Sequence, residues 1–231
     1  MRGQLLASAV LVVLILSMGC TGSARQKPGP KNPSPPLLDA GTAVSYAKQY
    51  TYGIYEGASI VVAFTVTHRV LGTPCAWNGS EAGNATNWMM FLEGIIYQLD
   101  SYLHIEIAVE VHYSKGEIFA SHAKVSLRQL DYASINTTKK SIEDLSVEPY
   151  LSTGSHDLFL KADAARWSMT EKYYLQSINM TLNHNTTSRI PGTATWEVAY
   201  RYIAKSDYSA SASVVVLDAS DGRVLKVEPP R

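Results

Sequence analysis

The strictest pattern in the chain is the alternation of apolar and polar residues between Leu103 and His112. The segment reads LHIEIAVEVH, and its odd-numbered positions are all aliphatic while its even-numbered positions carry His, Glu or Ala. Successive side chains of a β-strand point to opposite faces of the sheet. The segment therefore predicts a strand with one face on a hydrophobic core, which is typical of an antiparallel sheet covered on that face.

Segments before this strand add a helix and further strands. Apolar residues recur at helical spacing in AGTAVSYAKQYTYGIY (40–55) and alternate in SIVVAFTVTHRV (59–70), which predicts a helix followed by a strand. The segment WMMFLEGIIYQLDSYL (88–103) fits either element, but Gly94 and the β-branched and aromatic run 95–97 favour a strand.

The chain after the alternating strand returns along it. Ser114-Lys115-Gly116 is a turn signal, and Glu117 to Leu130 is expected to form the partner strand. We therefore expect an α+β fold between about Leu37 and Glu228, with one or more antiparallel sheets and one or two packed helices.

Residues 1–19 have the features of a signal peptide. Arg2 gives a positive start, Leu5 to Leu16 contains no charge or proline, and Ser17-Met18-Gly19 places small residues where a signal peptidase cleaves. About fourteen apolar residues would rise only ~21 Å as a helix, whereas the hydrocarbon layer is roughly 30 Å thick. A removed signal is therefore favoured over a membrane span.

The sequence SMGC (17–20) resembles the lipobox of prokaryotic lipoproteins, although Ser17 stands where bacterial lipoboxes usually have leucine. The resemblance implies that Cys20 is lipidated and becomes the new N-terminus. Residues 20–36 are rich in proline and predict an extended spacer of about 50 Å. Simple secretion and a retained helix are the alternatives, and in a secreted chain Cys20 could pair with Cys75, the only other cysteine.

Five of the eight asparagines stand in the N-x-Ser/Thr pattern of glycosylation acceptors. They are Asn78, Asn84, Asn136, Asn179 and Asn185. Loops rich in Ser and Thr could contain such triplets without modification. Taken with the lipobox, the sequons indicate an archaeal glycoprotein on the cell surface, anchored to the outer face of the cytoplasmic membrane.

The charge balance gives no support to nucleic-acid binding. Twenty basic and twenty acidic residues cancel, and no basic cluster stands out along the chain. Nucleic acids and anionic lipid surfaces are bound through concentrated positive charge. We therefore expect no nucleic-acid partner, and membrane contact through the lipid anchor alone.

The even-numbered face of the alternating strand carries the one pattern that resembles a metal site. Its members, called here the polar ladder, are His104, Glu106, Glu110 and His112. Side chains two residues apart on a strand lie about 6 to 7 Å apart, close enough to share a cation. Since a half-buried strand needs a polar face in any case, we assign no metal ligand and no cofactor to the chain.

No catalytic motif stands out in the sequence. The chain contains no G-x-S-x-G, H-E-x-x-H, G-x-x-x-x-G-K or C-x-x-C pattern. Ser121 and Lys124 have S-x-x-K spacing, but they fall in a predicted strand, and that chemistry needs a helix. We therefore assign no catalytic residue and expect a protein that is not an enzyme.

The C-terminal part of the chain resembles a PepSY-type domain over residues 160–228. TWEVAYRYI (195–203) precedes ASVVVLDASDGRVLKVE (212–228), in which VLDA (216–219), Gly222 and Val224 match the family's hairpin signature. KADAARWSMTEKYYLQSINMTL (161–182) can supply the helix with which such domains begin. The resemblance implies an extracytoplasmic α+β module that binds or restrains a partner, sometimes a protease.

Turn chemistry predicts the register of this last hairpin. A three-residue loop, Ser220-Asp221-Gly222, would put Gly222 in the left-handed conformation. Leu217 would then face Leu225, and Val215 would face Val227.

The predicted organisation is a signal (1–19), a lipidated cysteine with its spacer (20–36), an N-terminal α+β region (37–150) and a PepSY-like region (151–231). The N-terminal region could be a diverged second copy, which would give two PepSY- or cystatin-like sub-domains. We expect a membrane-anchored, non-enzymatic module that binds an extracytoplasmic protein or ligand. The alternatives are a carrier of an apolar ligand in a curved sheet and a metal-dependent hydrolase built on the polar ladder.

Overall fold

The computed structural model describes residues 37–74, 82–114, 117–167, 172–184 and 188–230. Within them the chain forms an α+β fold of three α-helices, two short 3-10 helices and eight strands. In chain order the elements are α1 (Ala40–Ile54), β1 (Ser59–Pro74), β2 (Ala85–Gln98), β3 (Ser101–Ser114), β4 (Glu117–Leu130), a 3-10 helix (Tyr132–Ser134), α2 (Ile135–Leu145), a second 3-10 helix (Glu148–Leu151), α3 (Ser155–Ala165), β5 (Tyr173–Asn183), β6 (Thr195–Ala204), β7 (Ala210–Asp218) and β8 (Val224–Glu228). An apolar helix of membrane-spanning length does not occur among the described residues.

All eight strands belong to one sheet with the order β4-β3-β2-β1-β5-β6-β7-β8, and every neighbouring pair is antiparallel. Strands β1 to β4 form one meander and β5 to β8 form another. The two meanders join where Arg69–Gly72 of β1 pairs with Met180–Asn183 of β5. The prediction of an antiparallel α+β fold is therefore confirmed, whereas the division into two sub-domains is not, because the strands form one continuous sheet.

One face of the sheet carries the main core. Helix α1 packs on β1 to β4 and α3 packs on β6 to β8, and their buried side chains join those of the sheet in a single cluster. Trp88 of β2 and Trp196 of β6 are fully buried in this cluster. The alternation of β3 accounts for this arrangement, since Ile105 and the aliphatic residues that follow at every second position are buried on this face.

The opposite face is covered by α2 over β1 and β2. Ile135 and Ile142 of α2 pack with Ile95 and Leu130 in a second, smaller cluster. The expectation of one or two packed helices is wrong for the described residues, because α2 is a third helix. It has few apolar positions, and the sequence analysis assigned no element to it.

The ambiguous segment before β3 is a strand, as predicted: β2 covers Ala85–Gln98. The helix predicted at 40–55 is confirmed as α1. Its N-terminus is capped by Asp39, whose carboxylate accepts a hydrogen bond from the backbone N–H of Thr42 at 2.9 Å. The segment 161–182 is helical only up to Ala165, because its remainder contains strand β5.

The last hairpin follows the predicted register only in part. Gly222 is left-handed, with φ of 70°, and Val215 faces Val227. The pairing of Leu217 with Leu225 is wrong, because a register shift after Val216 places Leu217 opposite Val224. The shift arises because the loop closes through a hydrogen bond from the Gly222 N–H to the Asp218 carbonyl, which leaves one residue unpaired in the returning strand.

Candidate functional site

The polar ladder lies on β3 as predicted, but the structure divides it into two parts. Glu110 accepts a hydrogen bond from Asn87 Nδ2 at 2.6 Å, and the ring of His112 stacks against Phe119 with 5.9 Å between ring centroids. His104 and Glu106 instead belong to a separate group, in which His104 Nδ1 lies 3.9 Å from Glu106 Oε1. The four residues therefore do not form one centre, because the pair His104 and Glu106 is separate from Glu110 and His112.

Glu93 of β2 is the centre of that separate group, called here the Glu93 cluster. Only 8% of Glu93 is exposed. Its Oε1 accepts a hydrogen bond from Thr67 Oγ1 at 2.7 Å and lies 3.2 Å from His68 Nε2. Its Oε2 lies 3.0 Å from His104 Nε2. A buried carboxylate is stable only when such partners replace its water, and this one has three.

The strand register brings these residues together from four neighbouring strands, β1 to β4. Glu93 stands directly opposite Glu106 in the pairing of β2 with β3, and Thr65 stands opposite Glu93 in the pairing of β2 with β1. In the pairing of β3 with β4, Arg128 stands opposite His104. The Glu93 cluster therefore depends on pairings between residues 11 to 26 positions apart in sequence.

A bulge in β1 lets two consecutive residues reach the same carboxylate. Side chains of Thr67 and His68 would point to opposite faces in a regular strand, yet both contact Glu93 Oε1. The β1–β2 register shifts between Thr67 and Val70, and His68 has a left-handed φ of 60°. This conformation costs a non-glycine residue on the order of 1–2 kcal/mol, so the surrounding structure must hold it in place.

The tautomer of His104 follows from its neighbours. Arg128 Nη2 lies 3.4 Å from His104 Nδ1, and a guanidinium can only donate a hydrogen bond. Nδ1 is therefore the acceptor, and the Nε2–H group donates to Glu93. His104 thus lies between the Glu93 carboxylate and the Arg128 guanidinium, and only 5% of the residue is exposed.

The charge state of Glu93 is set by these hydrogen bonds. Burial alone raises the pKa of Glu93, but the hydrogen bonds from His104, His68 and Thr67 together hold its pKa far below the ordinary value. The hydrogen bond with Glu93 in turn raises the pKa of His68. The centre of the cluster is therefore a carboxylate anion.

Two adjoining cavities open beside this cluster, between α2 and strands β2 to β4. Their volumes are about 530 and 370 Å³, and together they are called here the α2 cleft. Both are lined by Glu93, His104, Arg128 and Ser141. The larger cavity is further lined by polar residues from the end of β4, the β4–α2 connection and α2, including Gln129, Asp131, Ser134, Thr137 and Thr138.

The remaining predicted site residues are distributed away from the α2 cleft or outside the described residues. Cys20, Cys75, Asn78 and Asn185 lie outside the described residues. Asn136 is exposed on α2, whereas Asn84 and Asn179 are half-buried and hydrogen-bonded to Ser155 and Thr73. Ser121 and Lys124 both lie in strand β4, as predicted.

Sequence analysis missed Glu93, His68 and Arg128. Glu93 is the one charged residue in the fourteen-residue strand β2, and a charge within an apolar strand is a usable signal because it needs a buried partner. His68 and Arg128 carried no comparable signal.

Comparison with protein-family models, with curated proteins and with solved structures finds no match to this chain. The resemblance to PepSY-type domains therefore stays a prediction from the residues that carry it.

Proposed function

We propose that this protein is a non-enzymatic module that binds an extracytoplasmic molecule in the α2 cleft. We further propose that a lipid on Cys20 anchors it to the outer face of the cytoplasmic membrane. The observation that carries the proposal is the cleft itself. It is open to solvent, lies beside helix α2, and offers hydrogen-bonding side chains from β2, β3, β4 and α2.

The lining of the cleft favours a polar ligand or a polar segment of a partner protein. Hydroxyl groups of Ser134, Thr137, Thr138 and Ser141 and the guanidinium of Arg128 line the larger cavity. Such groups fix the orientation of a ligand through hydrogen bonds. A carrier of an apolar ligand needs a cavity lined mainly by hydrophobic side chains, so the lining of the larger cavity favours the binding module over the carrier, whereas the smaller cavity also contains apolar residues such as Phe91 and Leu145.

We further propose that residues 37–150 and 151–231 are two copies of one PepSY- or cystatin-like unit. Each region supplies a helix followed by four strands: α1 with β1 to β4, and α3 with β5 to β8. In each, the strands form an antiparallel meander with the helix on the same face. This repeated order supports duplication of the module to which the C-terminal part has its resemblance.

The binding role is tested by blocking the cleft. Ser141→Tyr would fill space shared by both cavities, while Lys140→Tyr makes the same addition at a neighbouring exposed position whose side chain pairs with Asp144. The native protein and both variants would be cross-linked on cells, purified in detergent, and their bound molecules identified by mass spectrometry. We expect one molecule to be lost with Ser141→Tyr and kept with Lys140→Tyr. Equal recovery from both variants would contradict the role of the cleft.

The anchor is tested separately. Mass spectrometry of the native N-terminus should show a diacylglyceryl-type adduct on Cys20, and Cys20→Ser should release the protein into the medium. An unmodified Cys20 in the mature protein would show that the anchor is absent, without bearing on the cleft.

A further inference from the structure

Beyond a binding role for the α2 cleft, the Glu93 cluster has the composition and spacing of a metal centre. We infer that Glu93, His104 and Glu106 form a binding site for a divalent transition cation such as Zn²⁺. Each residue offers one ligand atom, and these three atoms lie within 4.8 Å of one another; where the His104 ligand is Nε2, the cation replaces the proton that Nε2 donates to Glu93, and that proton is released to solvent. Glu93 and His104 are buried, while Glu106 is exposed.

The charges around this group favour a cation. Glu93 and Glu106 stand directly opposite each other on neighbouring strands, and like charges in that position destabilise a sheet. His104 lies beside both carboxylates, with contacts of 3.0 and 3.9 Å. A divalent cation bound by the three side chains would replace the repulsion between the carboxylates with two attractive contacts.

The ligand types select the class of metal. One imidazole nitrogen and two carboxylate oxygens suit Zn²⁺ and related transition ions, whereas Mg²⁺ and Ca²⁺ are bound mainly by oxygen. Three protein ligands leave a fourth tetrahedral position for water or for a group of a bound molecule. The smaller cavity of the α2 cleft is lined by all three residues, so this position would face the cleft.

Residues around Glu93 already fix its orientation. Thr67 and His68 both contact Oε1, which leaves Oε2 as the oxygen that faces His104. Metal ligands are commonly held in this way by hydrogen bonds from a surrounding layer of residues. The left-handed conformation of His68 is the backbone strain that such a constrained arrangement requires. His68 is therefore assigned as a positioning residue.

Arg128 opposes the cation and supplies a distinctive test. Its Nη2 lies 3.4 Å from His104 Nδ1, so a metal ion would bind close to its positive charge. Arg128 is exposed and can turn toward solvent. Removing this charge with Arg128→Gln should therefore tighten binding of Zn²⁺ by about tenfold, as expected for charges a few ångströms apart near a protein surface.

The experiment uses the full chain in detergent, without a polyhistidine tag. Zn²⁺ binding would be measured by equilibrium dialysis with elemental analysis, and Co²⁺ would serve as a probe because its visible absorption reports a low coordination number. We expect about one Zn²⁺ per chain. Glu106→Gln should weaken binding at least tenfold, since it removes a charged ligand.

Glu110→Gln is the matched control. Glu110 lies on the same face of β3 and is hydrogen-bonded to Asn87, outside the Glu93 cluster, so this variant should bind Zn²⁺ as the native protein does. Glu106 and Arg128 are exposed, and circular dichroism would verify that their variants keep the fold. Substoichiometric binding, or equal affinity for the Glu106→Gln and Glu110→Gln variants, would overturn the metal site. Because no partner is present in the assay, failure here is distinguishable from failure of the proposed binding role.

Discussion

Adding one methyl group at Gly94 should destabilise the protein, and the structure shows why. Gly94 lies in the middle of β2, under the fully buried ring of Phe64. A Cβ atom built on Gly94 would lie 2.7 Å from Phe64 Cδ1 and 3.0 Å from Cε1. Movement of the Phe64 ring is restricted, since the ring stacks on Tyr55 and makes an edge-to-face contact with Tyr52, with centroid distances of 5.5 Å in both cases.

The magnitude follows from this overpacking. Extra methyl or methylene groups in a well-packed core typically cost 1–3 kcal/mol because side chains and backbone must shift. We therefore expect Gly94→Ala to lower the free energy of unfolding by about 1–3 kcal/mol. The same change at Gly53 has the opposite expected sign. A Cβ atom there meets nothing within 4 Å, and alanine stabilises a helix by about 0.5–1 kcal/mol relative to glycine.

Guanidinium unfolding followed by circular dichroism would measure both variants. The midpoints should move in opposite directions while the slope of the unfolding free energy against denaturant stays unchanged. If Gly94→Ala unfolds at the same or a higher denaturant concentration than the native protein, the Phe64 ring does not lie over Gly94. If both variants shift downward together, the effect comes from the loss of glycine itself and not from packing.

Three further predictions test other parts of the structure. Tyr200→Phe should raise the free energy of unfolding by about 1 kcal/mol, because the buried Tyr200 hydroxyl has no hydrogen-bond partner among the described residues. The variant keeps the aromatic ring beneath Arg166. A loss of stability in equilibrium unfolding would contradict this prediction. Asn136, exposed on α2, should carry a glycan in the native host, so glycopeptide mass spectrometry should find it and Asn136→Gln should lower the intact mass by that amount; an unmodified Asn136 peptide would refute it. Gly222→Ala should lower the free energy of unfolding by about 1–2 kcal/mol, since Gly222 is left-handed and a Cβ atom would lie 2.7 Å from Lys161 Nζ. Gly222→Asn should lower it less, because asparagine tolerates the left-handed conformation. Equal losses of stability in denaturant unfolding would argue against the conformational cause.

The strands of the N-terminal meander could be predicted because one side of the sheet is buried. Ile105 and its alternating neighbours in β3 are enclosed by the main core, so a one-residue slip would expose them. The position of Gly94 is also explained by burial of the sheet, since a glycine within an apolar strand often marks the close approach of another group. Here that group is Phe64.

Sequence analysis did not predict helix α2, because the helical signals within its own residues are few. Its buried positions are Ile135, Thr138 and Ile142, which is a narrow apolar stripe within a segment of Thr, Lys and Ser. The helix is supported by packing on β1 and β2 and by ion pairs between Lys139 and Glu143 and between Lys140 and Asp144. Tertiary contacts, which a local pattern does not contain, decide its conformation.

Only part of the Glu93 cluster was predicted from the sequence. His104 and Glu106 were recognised from their spacing, but Glu110 and His112 were grouped with them because local spacing cannot say which residues a neighbouring strand brings near. Glu93 joins through strand pairing with β3. His68 contacts Glu93 because a bulge turns its side chain to the same side as that of Thr67. No residue pattern in β1 predicts that bulge.

The join between the two meanders has a mechanical consequence. Among the described residues, four ladder pairs between Arg69–Gly72 and Met180–Asn183 connect β1 to β5, whereas twelve ladder pairs connect β2 to β3. For a chain held at one end and pulled at the other, the load between the halves passes through those four pairs, through the core packed over them and through further hydrogen bonds such as those from His184 N–H to the His68 carbonyl and from Ala40 N–H to Ser155. We expect the two halves to separate there first, leaving four strands with α1 and α2 in the N-terminal half and four strands with α3 in the C-terminal half. The protein would then unfold under tension in two steps, and not progressively from one end.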